Sequence, residues 1–192
     1  MEVNSFSCVS ELLWGALFEA RRRFALEIDG YHGELHWRRV FRNGMRIATH
    51  TGADHVIVGL FAIFHDCCRA SDGQDEYHGH RSAGFVEGLW DFGRLLISRH
   101  GVETLAEACR IHHGGGPVFH DPTIGTCLDS DRLDLWRVGV APQMEFLSSP
   151  RAVLEPEILG GKNDLFRPDS VEPWGSLISE ASSRFHGSGV AR

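Results

Sequence analysis

The 192-residue chain is long enough to bury one sizeable core without staples, and its ordinary composition excludes a disordered or fibrous protein. A formal charge of -7 argues against a surface that coats nucleic acid, which is normally basic, while leaving a nucleotide-sized substrate open. No apolar run approaches the ~20 residues that cross a bilayer, so no membrane partner is expected.

In chain order, Leu12 to Leu26 is apolar at helical spacing and predicts a first helix ending near Asp29-Gly30. Trp37, Val40, Phe41, Gly44, Met45 and Ala48 form the stripe of an amphipathic second helix. Val56 to Phe64 is almost continuously apolar, where periodicity cannot separate a buried strand from a buried helix; its neighbours favour helix. Asp72-Gly73 marks a polar loop. Ala83 to Ile97 resumes the helical pattern, with Gly101 as its breaker. Val102, Leu105, Ala106 and Cys109 form another stripe, stopped at Gly114-Gly115-Gly116-Pro117. Ile124, Leu128, Leu135 and Val138 predict one more helix. From Ser148, prolines, glycines and serines predict a partly irregular arm or lid with a short helix around Leu177. The expected architecture is an all-α helical domain over 1–147, with an arm over 148–192 packed on it.

The five cysteines, Cys8, Cys67, Cys68, Cys109 and Cys127, are odd in number and contain no CxxC pair. With no basic segment leading into an apolar one after Glu2, they suggest free, buried thiols in a reducing cytoplasm. Trp14, Trp37, Trp90, Trp136 and Trp174 read as core. Gly114-Gly115-Gly116 lacks the Lys-Ser/Thr of a phosphate loop and reads as a helix stop.

Twelve histidines are the unusual feature. His36 sits one turn before Val40 and faces nearly the same way. His65-Asp66 ends the most apolar segment, and His112 and His113 continue the stripe of Cys109. Asp131 lies seven after Ile124 and four before Leu135, on the apolar side, whereas Asp129 and Asp134 point elsewhere. His32, four before His36, reads as a surface residue or a neighbour of the ligands. A buried carboxylate needs a counter-charge or a metal. With several inward imidazoles and no inward lysine, a metal is the better fit, and mixed N/O ligation suits Mn, Fe, Co, Ni or Zn, with Mg admissible.

The order His36, His65-Asp66, Asp131 resembles the H…HD…D signature of the HD superfamily, over roughly residues 30 to 140. That resemblance implies an all-α, HD-type helical bundle and, in most members, metal-dependent hydrolysis of phosphate esters. It implies His36, His65, Asp66 and Asp131 as ligands of a first metal. His78 and His112 would complete a second site bridged by Asp66, with His80 and His113 as outlying neighbours. One or two ions per chain are expected. Arg69, Arg81 and Arg132 are the candidates to grip phosphate beside Asp66, because a guanidinium fork matches phosphate oxygens. Coordination would lower the pKa of water toward ~7 and supply hydroxide for attack on a phosphate mono- or diester, plausibly of a nucleotide. Two rivals stay open: a di-iron oxygenase on the same scaffold, and a non-catalytic module that binds a nucleotide.

Overall fold

In the computed structural model, which describes residues 5–164 and 171–184, all regular secondary structure among the described residues is helical. The order is α1 (Ser5–Arg23), α2 (Glu34–Thr51), α3 (His55–Phe64), α4 (His78–Asp91), α5 (Arg99–Ile111) and α6 (Pro122–Arg132). Two 3-10 turns follow, Leu133–Val138 and Met144–Phe146, and then α7 (Arg151–Asp164) and α8 (Trp174–Arg184).

The axis of the bundle is α3. It touches α1, α2, α5 and α6, and every residue from Ile57 to Phe64 is buried. A helix surrounded on all sides has no polar face, which is why its apolar run carries no period. Asp54 starts it, its side chain accepting from Val56 N and Ile57 N. Helix α8 closes the bundle against α1 and α2, with Trp174 edge-to-face on Phe41 at 5.6 Å between centroids.

Two glycines set close helix approaches. A Cβ on Gly44 of α2 would lie 2.5 Å from Val58 Cγ1 of α3, and one on Gly79 of α4 would lie 2.4 Å from the Cys109 carbonyl oxygen of α5. The second contact seats the start of α4 on the end of α5.

The chain differs from its sequence-based reading at several places. Gly101 does not break a helix; it is buried inside α5, and the break falls at Phe92-Gly93, where Gly93 takes φ +65°. Ile124 and Leu128 lie in α6, but Leu135 and Val138 lie in the following 3-10 turn, so one apolar pattern spans two elements. Residues 151–164 form helix α7 despite Pro156, Gly160 and Gly161. Tertiary packing overrides propensity there: Leu154 is buried against Ile47, Leu133 and Leu147, and Trp136 Nε1 donates to the Ile158 carbonyl. Trp37 and Trp174 are core, Trp90 and Trp136 are half-buried, and Trp14 is exposed. No helix among the described residues is long and apolar enough to cross a membrane.

Gly79→Ala should lower stability by about 1–3 kcal/mol, because the new methyl meets backbone that cannot move alone. Gly84→Ala, on the open face of the same helix with no atom within 4 Å, should raise it by about 0.4–1 kcal/mol. Urea denaturation of both variants checks this; equal effects would show that α4 and α5 are not held at this separation.

Candidate metal centre

The ends of five helices meet at one point. His36 lies in the first turn of α2, His65 and Asp66 directly follow α3, and His78 opens α4. His112 directly follows α5, and Asp131 is the penultimate residue of α6. His36, His65, Asp66, His78 and His112 are buried, and Asp131 is nearly so.

Each imidazole is anchored through Nδ1. His36 Nδ1 donates to Asp134 Oδ2 at 2.7 Å, and His65 Nδ1 to the Phe61 and Ala62 carbonyls at 3.1 and 3.2 Å. His112 Nδ1 donates to the Cys109 carbonyl at 2.7 Å, and His78 Nδ1 to the Asp75 carbonyl. A carbonyl oxygen only accepts, so in each of these rings Nδ1 bears the hydrogen and Nε2 of the neutral ring is a bare lone pair.

All four Nε2 atoms converge. His36 Nε2 lies 3.0 Å from His65 Nε2, and His78 Nε2 lies 2.8 Å from His112 Nε2. Between two singly protonated rings such a contact sets lone pair against lone pair; a second proton on His112 turns its contact with His78 into a hydrogen bond. The carboxylates face the same atoms. Asp131 Oδ1 is 3.4 Å from His36 Nε2, and Asp66 Oδ1 is 3.2 and 3.5 Å from His78 and His112 Nε2. Asp66 Oδ2 turns the other way, 3.6 and 3.7 Å from His36 and His65 Nε2. Asp66 Oδ1 is buried and accepts no hydrogen bond. A cation would satisfy such a set of acceptors, of which His78 Nε2 also faces Arg69 Nη1 at 3.2 Å. Two donor groups compact enough to hold an ion result, His36/His65/Asp131 and Asp66/His78/His112, with Asp66 between them.

Electrostatics agree. Burial, only partly opposed by the aspartates, pulls His65 down to about 3 and, with the facing His112, His78 down to about 4, so both rings are neutral near pH 7. Burial pushes Asp66 and Asp131 up, but the surrounding imidazoles outweigh it and hold both carboxyls below their ordinary value. His112 alone is raised: burial lowers it, yet the facing Asp66 carboxylate prevails. A proton is the smallest cation that relieves the site, and it competes with metal.

The other expected residues are placed as follows. His80 and His113 are exposed; His113 lines the cleft 5.1 Å from the His78 ring, and neither joins a donor group. Arg69 is buried, with Nε on the Ser71 carbonyl, Nη2 on the Gly73 carbonyl and Nη1 against His78 and Asp66. Arg132 donates to the carbonyls of Gly115, Gly116 and Phe146. Arg81 is bound to the Asp75 carboxylate and the Cys68 carbonyl, and does not line the cleft. Cys67, Cys68, Cys109 and Cys127 are free buried thiols outside both donor groups.

Two aspartates thought to point elsewhere are buried. Asp134 accepts from His36 Nδ1 and from Arg39 Nε at 2.6 Å. The signal was present: Asp134 follows Asp131 by three residues across the junction of α6 with the 3-10 turn, a spacing that keeps both on the side of His36. Asp129 accepts from Ser148 N and Ser149 N at 2.8 and 2.7 Å and pins the segment before α7. His32 is buried too, its Nδ1 2.9 Å from Asp72 Oδ1, and it lines the cleft.

Above the donor groups lies a cleft of about 600 Å³. Its walls are the loop at Arg69–Gly73, the glycine segment Gly114–Gly116, and the 3-10 turn with Leu135, Arg137 and Val138. In comparisons with known proteins, no family model, no curated protein and no solved structure matches the chain.

Metal-free protein should lose stability in acid. Below pH 6.5 the unfolded chain takes up protons that folded His65 and His78 refuse until about 3 and about 4. Each contributes a loss of up to about 1.4 kcal/mol per pH unit in that window. His112, raised, acts only above pH 6.5, where its contribution fades as pH rises. Denaturation midpoints measured from pH 7 to pH 4 check the slope; a flat profile would mean the rings are not held neutral. Asp134→Ala should weaken metal binding by about 10–100-fold, because it frees the His36 ring without removing a ligand. Titration calorimetry with Mn or Co reads that loss.

Proposed function

We propose that the chain is a metal-dependent phosphohydrolase of the HD type, acting on a phosphate ester. The observation that carries this reading is the convergence of four Nε2 lone pairs on the shared carboxylate of Asp66 at the floor of an open cleft. The order of those residues along the chain, H…HD…D, supports it independently.

In this reading His36, His65 and Asp131 hold one divalent ion, and His78 and His112 hold a second, with Asp66 shared. The mixed nitrogen and oxygen donors suit Mn, Fe, Co, Ni or Zn. Bound ions supply Lewis acidity and a source of hydroxide near neutral pH. The chain's own contribution is preorganisation: every ligand ring is fixed in tautomer and direction by its Nδ1 bond, so none reorganises during turnover.

Proton handling falls to His32. Asp72 accepts from its Nδ1, which leaves Nε2 as the proton acceptor at the cleft. His32 Nε2 would take the proton of the attacking water, and the imidazolium so formed would be stabilised by the same Asp72 carboxylate. Arg69 lies 3.5 Å from Asp66 and offsets its negative charge where an anionic substrate must approach.

Elemental analysis of the purified protein, with a phosphate-release screen over Mn, Co, Ni, Mg and Zn, tests the proposal. Two transition ions per chain with released phosphate are expected, and Asp66→Ala should lose both the metal and the activity. Iron without phosphate release would replace the reading with a di-iron oxygenase. No bound metal would leave a binding module.

A further inference from the structure

The arginines around the cleft are unequal. Arg69 has all three guanidinium nitrogens on loop carbonyls and the His78–Asp66 pair, and Arg132 has both of its terminal nitrogens, Nη1 and Nη2, on carbonyls. Arg137 differs. Its Nε donates to the Tyr31 carbonyl at 3.1 Å and its Nη1 to the Asp134 carbonyl at 3.2 Å, while no described residue accepts from Nη2. The nearest carboxylate, Asp134, is 3.8 Å away and already serves His36 and Arg39. Arg137 therefore lines the cleft as a braced cation with one edge of its fork unspent.

Beside it the wall turns apolar. Leu135 and Val138 come from the same 3-10 turn, and Phe146 follows one turn later. Val138 and Phe146 are 47% and 50% exposed, a large apolar surface for residues standing beside two aspartates and a cluster of imidazoles. Arg132 fixes this wall by donating to the Phe146 carbonyl at 2.6 Å. Such pairing of an oriented polar group with apolar lining is how small-molecule sites read an organic ligand.

Resting on the phosphohydrolase reading, we propose that the turn Leu133–Val138 selects the substrate: Arg137 binds the phosphoryl group through Nη2, and Leu135, Val138 and Phe146 cover an aromatic group on the same molecule. The substrate class is a single-phosphate ester of an aromatic-bearing alcohol. Beyond the ions that the two donor groups would hold, the cleft wall offers Arg137 Nη2 as one unspent terminal guanidinium edge, which matches a single phosphoryl group and not a chain of them. Arg137 and Phe146 are positioning residues, outside the metal groups.

The test is steady-state phosphate release by the metal-loaded protein from 2-phenylethyl phosphate, ethyl phosphate and inorganic pyrophosphate, the two esters being matched in leaving-group acidity. 2-Phenylethyl phosphate should exceed both others by about tenfold or more in kcat/KM. Arg137→Ala should raise KM for both esters by about tenfold, with metal content unchanged, and Arg137→Lys should restore part of it. Phe146→Ala should raise KM for 2-phenylethyl phosphate and leave ethyl phosphate alone. A wild-type protein that holds metal but releases phosphate from nothing overturns the phosphohydrolase reading itself. Turnover with pyrophosphate preferred, or with KM unmoved in Arg137→Ala, overturns only the substrate assignment. Loss of helical circular dichroism in both Arg137 variants would make Arg137 a scaffold residue and overturn it equally.

Discussion

Four imidazoles that cannot turn govern this structure. Each spends its Nδ1–H on a fixed acceptor, so four Nε2 atoms and two carboxylates are aimed into one buried volume. Turning a ring away breaks its own bond, at a cost of about 0.5–1.5 kcal/mol, although Asp134 would keep Arg39 and the Phe61 and Asp75 carbonyls their backbone N–H donors. The conflict at the centre is thus locked in by bonds at its periphery, and only positive charge resolves it.

Those peripheral bonds do a second job. The last carbonyls of a helix lack intrahelical partners. His65 directly follows α3 and donates back to Phe61 and Ala62; His112 directly follows α5 and donates back to Cys109. One hydrogen bond satisfies a helix end and sets a ligand's tautomer together. The C-termini of α3, α5 and α6 carry partial negative charge to the same point, which outnumbers the partial positive charge of the α2 and α4 N-termini there. The bundle can bring these ends so close because Gly44 and Gly79 present no side chain where α2 meets α3 and α4 meets α5.

Much of this was legible in the sequence because burial leaves a period. The stripes of α2 and α5 located both helices, and the inward positions on them held His36 and His112. Less visible was whatever depends on a change of helical pitch or on distant packing. Asp134 looked misdirected because the α-helical angle was carried past Arg132, where the chain tightens to 3-10. Helix α7 was hidden by its proline and glycines, since a partner that folds it, Ile47 of α2, is remote in sequence. His32 stood outside any stripe, and its inward position depends on Asp72, forty residues later. Arg137 carried no motif; only the list of carbonyls already taken by its neighbours distinguishes it.

The same lock that prepares the site burdens the fold. Without a cation, the buried acceptors repel one another, and the large apolar core around α3 must hold them together. A metal that binds only the folded chain then stabilises it by mass action, by about 2.7 kcal/mol at a hundredfold excess over Kd. Relaxing the centre by substitution, for instance by replacing an imidazole with an aliphatic side chain, would relieve that repulsion in the metal-free fold and remove the reason for metal to bind. On the proposed reading, strain in the metal-free protein and affinity for metal would be one property of the four anchored rings, and neither could be tuned without the other.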